Sequence, residues 1–185
     1  IPPSIGNVQT LRRLSIINSC ITNEGIPESL GQLTNLETLE LVNCERLAIV
    51  GPADRPEQAT LYSRLGRAEF SRLEELPSII PTLRNLVNLT SLNLSNNYIT
   101  VLPLHQLTRL EQLRLNDTFI GRVPAWIYYL ENLGFISFSG SMLYHISYSR
   151  RYFPALFMFS VQGCPLTGQS RISLAHIEAD IVNRI

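Results

Sequence analysis

Apolar residues along this chain recur in a spacing that fits neither a plain helix nor a plain strand. The clearest copy is Leu89–Pro103, LTSLNLSNNYITVLP, in which Leu89, Leu92 and Leu94 are followed by Asn97. Positions 92 to 94 alternate between apolar and polar as a β-strand does, and the Asn-Asn pair that follows favours a turn. The pattern therefore predicts a short strand that ends in a turn.

The same spacing occurs in five other stretches of the chain. The six copies begin at Leu11, Leu36, Leu89, Leu110, Leu133 and Leu156. The last four starts are 21, 23 and 23 residues apart, which is nearly constant. In each copy the apolar positions of LxxLxL would point to one side and the residues between them to the other. Because one such strand cannot bury its apolar side alone, we expect the copies to stack into a parallel sheet over a shared core.

The repeated pattern resembles that of the leucine-rich-repeat family, LxxLxLxxNxLxxLPxxLxxLxx, over most of the chain. The resemblance implies an α/β solenoid: a curved parallel sheet on the concave face, irregular, 3₁₀ or helical segments on the convex face, and a C-terminal capping helix. Where the family pattern has Asn, this chain has Ser19, Cys44, Asn97, Thr118, Ser141 and Cys164. With one Asn among the six, we expect uneven hydrogen bonding between this position and the turn backbone.

The repeats organise residues 1–185 into a single domain. Its first residues, IPPSIGNV, read like residues 26–33, IPESLGQL, so the chain starts in the middle of a repeat. Residues 45–88 break the period, and we interpret them as one irregular unit with an inserted loop and helix. The loop is indicated by Gly and Pro at 51–56, and the helix by the apolar spacing at 59–76.

Residues 167–185 are the predicted C-terminal cap. Apolar residues at roughly helical spacing would cover the exposed end of the core. These residues are Ile172, Ala175, Ile177, Ile181 and Val182.

Composition narrows the possible functions. The chain has 185 residues, 45% of them hydrophobic and 16% charged, with a formal net charge of zero. A neutral chain has no global attraction to nucleic acid or to a membrane surface, and no apolar run is long enough to predict a membrane span. The 3 cysteines do not form a disulfide framework and favour a reducing compartment. We therefore expect an intracellular protein or one delivered into a host cell, with an extracellular location left open.

No motif for catalysis is found in the chain. The spacings that mark phosphate-binding loops, zinc proteases and serine nucleophiles are absent, and no CxxC pair is present. Cys44 and Cys164 occupy the Asn position of their repeats, where the resemblance implies a buried, inert thiol. We predict no enzymatic activity in these residues, no cofactor, no metal and no small-molecule substrate.

The residues between the inward apolar positions carry the functional prediction. Along the sheet this face would run from basic, through acidic and polar, to apolar at its C-terminal end. The expected partner is another protein, because an exposed cluster of aromatic and Met side chains is typical of protein interfaces. The candidate binding residues are Arg12, Arg13, Glu37, Glu40, Glu111, Arg114, Asp117, Phe135, Phe157 and Met158.

Several alternatives remain open at this point. Aromatic residues with Arg150 and Arg151 in the fifth unit could stack single-stranded nucleic acid, but the neutral chain favours packing, and we expect neither nucleic acid nor membrane as partner. Pro165-Leu166-Thr167 and the helix after it look similar to the end of bacterial effector repeat domains. That resemblance implies the targeting part of a larger protein, possessing in some members a ubiquitin-ligase domain. GIP-like steps and three Asn-x-Ser/Thr triplets are typical instead of an extracellular receptor. A monomer is expected in either case.

Overall fold

The computed structural model describes residues 1–49, 78–147 and 154–182, and within them a strand follows the start of each repeat. The strands are β1 (Arg13–Thr22), β2 (Thr38–Arg46), β3 (Ala48–Ile49), β4 (Ser91–Asn93), β5 (Tyr98–Ile99), β6 (Gln112–Arg114), β7 (Phe135–Ser137) and β8 (Met158–Ser160). Two α-helices are described, α1 (Ile80–Arg84) and α2 (Gly168–Val182).

One strand from each repeat enters a six-stranded sheet with the order β1-β2-β4-β6-β7-β8. Every neighbouring pair is parallel, and the second apolar position of each LxxLxL faces the same position of the next strand. Leu39 thus faces Leu92, which faces Leu113. The parallel sheet and the repeat solenoid predicted from the spacing are confirmed.

The core consists of the inward residues of these strands together with those of the segments behind them. Leu39, Leu92 and Leu113 are completely buried. Burying a leucine side chain stabilises the fold by about 1.5–3 kcal/mol, so a stack of such positions supplies most of the driving force. Leu14 and Ile16 of β1 occupy the same positions and are only half-buried, because β1 has a neighbouring strand on one side.

Short segments behind the sheet return the chain to the start of the next strand. They are 3₁₀ turns at Pro3–Asn7, Asn23–Gly25, Glu28–Gln32 and Ala125–Tyr129, and the single-turn helix α1. Proline begins or precedes three of them, at Pro3, Pro27 and Pro124. Its fixed φ and missing N–H suit the start of a helical turn. The predicted mixture of irregular, 3₁₀ and helical segments is confirmed.

The unit that begins at Leu36 is longer than the others. Strands β2 and β4 are direct neighbours in the sheet, and no strand of the described residues lies between them. Instead β3 pairs with β5 in a small second sheet, and α1 packs against the 3₁₀ turn Glu28–Gln32. The described parts of this unit therefore lie on either side of residues 50–77. The loop predicted at 51–56 and the helix predicted at 59–76 both lie outside the described residues.

Side chains at the Asn position bind the turn backbone unevenly, as expected. The Asn97 amide donates to the carbonyls of Leu41 at 2.6 Å and Leu94 at 2.9 Å, and its Oδ1 accepts from the backbone N–H of Cys44 at 3.0 Å. The Thr118 hydroxyl makes a single hydrogen bond, to the carbonyl of Leu115 at 2.9 Å. The one Asn at this position therefore links two neighbouring units, which the hydroxyl of Thr118 does not do.

Asn23 provides a second inter-unit link, which the repeat pattern did not predict. Its amide Nδ2 donates to the carbonyl of Ala48 at 2.7 Å, and its Oδ1 accepts from the N–H of Ala48 at 2.8 Å. The Asn23 side chain is buried, so the N–H and the carbonyl of Ala48 both depend on it for a hydrogen bond. Asn23 thus connects the first unit to β3 of the second.

In all six units a residue in the left-handed conformation lies two positions after the last apolar residue of LxxLxL. These residues are Asn18, Asn43, Asn96, Asp117, Gly140 and Gly163, with φ between 50° and 76°. Asn, Asp and Gly tolerate this conformation far better than branched or bulky residues. The turn after each strand is therefore encoded by residue type one position before the Asn position of the pattern.

The C-terminal helix α2 covers the last unit, as predicted, but with a different face. Ile177 is buried, whereas Ile172 and Val182 are 52% and 70% exposed. Ala175 is exposed as well, so the prediction that these three residues would cover the core is wrong. The buried stripe contains Ser170 and Ser173 instead, because Ser170 docks the helix by hydrogen bonds. Its hydroxyl donates to the carbonyl of Tyr144 and accepts from the N–H of Ile146, both at 3.0 Å.

Candidate functional site

The outward side chains of the six-stranded sheet form one continuous surface, which we call the outer sheet face. All ten candidate residues lie on this face or in the turns at its margins. Among them Arg12, Arg13, Glu111, Asp117, Phe157 and Met158 are exposed, and Glu37, Glu40, Arg114 and Phe135 are half-buried. Their distribution divides the face into a charged end, a polar centre and an apolar end.

The charged end is largely neutralised by its own side chains. The guanidinium of Arg12 forms an ion pair with the carboxylate of Glu37 on the next unit. Ser15 donates to the carboxylate of Glu40 at 2.8 Å. Both contacts are solvent-exposed, and such pairs contribute about 0–1 kcal/mol. The charges of these residues are therefore partly neutralised and would attract a binding partner only weakly.

The polar centre is a hydrogen-bonded network that holds its side chains close to the sheet. Ser95 donates to Asn93 at 2.8 Å and accepts from the N–H of Asn116 at 3.1 Å, while Ser137 donates to the Asn116 side chain at 2.6 Å. By strand alternation Ser95 and Ser137 would project outward, since each follows an inward residue, but both are buried beneath their neighbours. The hydrogen bonds between adjacent strands explain the difference, and the centre presents a flat polar surface.

The apolar end contains Phe135, Phe157 and Met158, which we call the apolar cluster. Phe135 on β7 and Met158 on β8 are directly opposite each other in the ladder. Phe157 is 59% exposed and Met158 47% exposed. The Phe157 ring lies across Gly134 so closely that a Cβ at that glycine would be 2.6 Å from its Cε1 atom. The apolar cluster therefore consists of large side chains, one of which packs directly on the backbone of Gly134, the residue before the neighbouring strand β7.

Arg114 connects the apolar cluster to the polar centre. Its guanidinium carbon is 4.6 Å from the centroid of the Phe135 ring, a cation–π distance. The same side chain donates from Nη1 to the Gln112 carboxamide at 3.1 Å. A positively charged group thus lies on the half-buried aromatic ring, while Phe157 and Met158 remain open to solvent.

Asp117 lies apart from this group, in the turn three residues beyond the end of β6. It has a left-handed conformation, with φ of 52°, and its carboxylate lies over Gly140, where an added Cβ would be 2.1 Å from its Oδ1 atom. The structure therefore brings together Arg114, Phe135, Phe157 and Met158. It leaves Asp117 in the turn at the margin of the face.

The thiols at the Asn position lie in hydrogen-bonded turns, where Cys44 is buried and Cys164 is half-buried. Burial raises the pKa of the Cys44 thiol, against a smaller lowering by its contact with Ser19. Burial likewise raises the pKa of Cys164, which donates to the Phe138 carbonyl at 3.0 Å. Raised pKa values favour the unreactive neutral thiol. Cys20 differs from both because it is exposed.

The described residues contain no group of three His, Cys, Asp or Glu side chains placed to hold a metal ion. Within the same residues, no helix is long and apolar enough to cross a membrane. The outer sheet face presents aromatic and thioether groups, guanidinium and carboxylate groups, and short polar side chains.

One feature of the last strand was missed by the sequence reasoning. The edge of β8 that faces away from β7 is followed by a groove against α2. The signal was present, because a final repeat followed by a helix leaves its strand without a further strand to pair with.

Comparisons with known proteins agree with this architecture. The model of the leucine-rich repeat family matches residues 88–110. Among solved structures, the chain is similar to the leucine-rich-repeat protein LIC12759 of Leptospira interrogans, with 19% identity and a TM-score of 0.52. That similarity covers 97% of this chain and 50% of the other, so the chain spans half the length of that protein. At this identity the likeness establishes the fold alone.

Two plant receptors are also similar at lower TM-scores. The leucine-rich-repeat ectodomain of the receptor kinase SOBIR1 from Arabidopsis thaliana has 22% identity and a TM-score of 0.46, covering 79% of this chain and 66% of the other. The plant peptide hormone receptor RGFR1, solved in complex with RGF2, has 22% identity and a TM-score of 0.43, covering 77% of this chain and 19% of the other. No curated protein sequence matches the chain.

Proposed function

Because the chain is a leucine-rich-repeat protein, a fold that generally serves protein–protein interaction, we propose that its outer sheet face recognises a partner protein. The observation that carries the proposal is the apolar cluster, in which Phe157 and Met158 are exposed beside Phe135. Large aromatic and Met side chains supply most of the energy in many interfaces, since they bury much area with few rotatable bonds.

The sheet supports this role because it holds the cluster in place before binding. Phe135 and Met158 belong to hydrogen-bonded strands, and the Phe157 ring rests on Gly134. A rigid surface loses little conformational entropy on association, so more of the contact energy contributes to affinity. Arg114 adds a charged donor at the border of the cluster, and it favours a partner with an acidic or carbonyl-rich patch there.

We further propose that the chain is the recognition part of a larger protein, in line with its spanning half of the Leptospira structure. The role would be to select a partner, and any chemistry would be carried out elsewhere. The bacterial-effector and extracellular-receptor alternatives both contain this role. The sequence of the full-length gene product distinguishes them, through a ligase domain in the first case or a secretion signal in the second.

The test is a pull-down from a relevant lysate, with bound proteins identified by mass spectrometry. Phe157→Asp and Phe135→Asp should abolish recovery of the partner. Ile17→Asp is the matched control: Ile17 is 53% exposed on the same face, but on β1, far from the cluster. All variants should keep the wild-type circular dichroism spectrum. Equal recovery by wild type and Phe157→Asp would refute the proposal.

A further inference from the structure

The groove between β8 and α2, which we call the C-terminal groove, is a second surface with its own chemistry. It is a cavity of about 500 Å³, within the range of about 300–1,000 Å³ that ligand sites occupy. One wall is the chain from Phe159 to Cys164, and the other is one face of α2, formed by Arg171, Leu174 and Glu178. The groove lies at the end of the sheet, beside the outer sheet face.

Two backbone donors in this groove have no partner among the described residues. In earlier units the equivalent N–H groups donate to the next strand: Leu115 to Ser137 at 2.8 Å, and Asp117 to Ser139 at 2.9 Å. In the fifth unit Phe138 and Gly140 donate to β8 and the residue beyond it in the same way, each at 2.8 Å. In the sixth unit the corresponding groups are the N–H of Val161 and Gly163. Both residues line the groove, where no further strand follows in the sheet.

The geometry of these donors specifies what they can bind. At the earlier junctions each such pair is satisfied by carbonyls two residues apart on a neighbouring parallel strand. Carbonyls at that spacing, about 6.6 Å, point to the same side only in an extended chain. The occupant must therefore supply consecutive carbonyls along an extended backbone, and neither a helix nor a nucleic acid provides them in that arrangement.

We propose that the C-terminal groove binds an extended peptide segment of a partner protein, which adds to the sheet as a strand parallel to β8. Its carbonyls accept from Val161 and Gly163, and an apolar side chain between them faces Leu174. Arg171 and Glu178, about 10 Å apart along α2, select an acidic residue near one end of the segment and a basic residue near the other. Strand addition of this kind derives affinity from the backbone and specificity from alternate side chains.

The proposal is tested with random peptides of about ten residues, displayed on phage and selected on the immobilised chain. Selected clones are then made as synthetic peptides and titrated by fluorescence anisotropy. Val161→Pro removes one donor at a strand edge, where proline is tolerated. We expect it to weaken binding by about tenfold, the effect of one hydrogen bond of ordinary strength.

Side-chain variants separate the groove from the rest of α2. Leu174→Asp should weaken binding by at least about tenfold, since it places a charge on the apolar wall. Ile172→Asp is the matched control, because Ile172 is exposed on the opposite side of the same helix, and its affinity should equal wild type. Phe157→Asp should leave peptide affinity unchanged, which distinguishes this site from the apolar cluster.

A measurement on the wild-type chain covers the case in which a variant fails to fold. In the complex, hydrogen exchange of the Val161 and Gly163 amides should slow by at least about tenfold, whereas the exchange of exposed turn amides elsewhere stays the same. Selected peptides that leave both amides unprotected would overturn the proposal. So would a selection in which no peptide distinguishes wild type from Leu174→Asp.

Discussion

Asn97 is the residue whose removal should test the repeat architecture most directly. Its side chain is 4% exposed and makes four hydrogen bonds. Two of these, to Cys44 and Leu41, cross to the preceding unit over 53 and 56 residues of sequence. Asn97 therefore connects the two units between which residues 45–88 break the repeat period.

The cost of Asn97→Ala follows from the groups that would lose their partner. The N–H of Cys44 has the Asn97 carboxamide as its acceptor, and the Leu94 carbonyl is bonded to the same side chain. A buried polar group left unsatisfied costs about 1–3 kcal/mol. With the Cys44 donor and one carbonyl counted, we expect a loss of about 3 kcal/mol in the free energy of unfolding, a large part of the stability of a domain.

Thr118→Val is the matched control for this substitution. Thr118 occupies the same position one unit later, is equally buried, and loses a single hydrogen bond to Leu115. Valine keeps its shape, so the expected loss is about 0.5–1.5 kcal/mol. Urea unfolding followed by circular dichroism gives both values. A loss for Asn97→Ala no greater than that for Thr118→Val would refute the reasoning.

A second readout shows where the stability is lost. In a solenoid each unit is stabilised by its immediate neighbours, so Asn97→Ala should weaken the junction between β2 and β4 in particular. The single tryptophan, Trp126, lies in the fourth unit and reports on the C-terminal side of that junction. We expect its fluorescence transition to occur at higher urea than the circular dichroism transition, whereas the two coincide in the wild type. Coincident transitions in the variant would contradict a local effect.

Three further predictions concern other parts of the molecule. Gly134→Ala should displace the Phe157 ring, since the new Cβ would be 2.6 Å from its Cε1 atom. Partner binding in the pull-down should then fall at least about tenfold, while the unfolding free energy from urea titration changes little. Ser170→Ala should destabilise the chain by about 1–3 kcal/mol, because the hydroxyl bonds both Tyr144 and Ile146; thermal unfolding measures it. In the folded state burial raises the pKa of the Cys44 thiol above its ordinary value of 9.0. The stability that comes from keeping this thiol neutral is therefore complete below pH 9.0 and is lost as the pH rises further. Cys44→Ala should flatten this alkaline decline in the free energy of unfolding.

The sheet could be predicted from sequence because its signal repeats. LxxLxL fixes which side chains point inward, and six copies fix the order of the strands, so the register at Leu39, Leu92 and Leu113 followed directly. Phe157 and Met158 were placed on the outer face because they lie between two inward positions of the same LxxLxL pattern, and both are exposed. Each of these results follows from a local pattern that recurs in several units.

Contacts between units could not be predicted in the same way. Ser95 and Ser137 alternate outward, but hydrogen bonds to Asn93 and Asn116 draw them into buried positions. In α2 the apolar spacing indicated Ile172, whereas a serine hydroxyl determines which face docks. Hydrophobic periodicity describes burial of apolar area and contains no information on which polar groups will find partners.

The left-handed turns lie between these two cases. Asn18, Asn43 and Asn96 precede the Asn position in three units, and the remaining units have Asp or Gly there. All six are residue types that accept positive φ. The turn can therefore be recognised when the six units are aligned, although no single unit shows it. If the residue type at this position determines the turn, Asn43→Val should lower the free energy of unfolding by about 1–2 kcal/mol. Asn43→Gly should lower it much less, although it also loses the hydrogen bond to Asn18. Equal costs for the two variants would mean that this side-chain hydrogen bond, and not backbone conformation, favours asparagine at position 43.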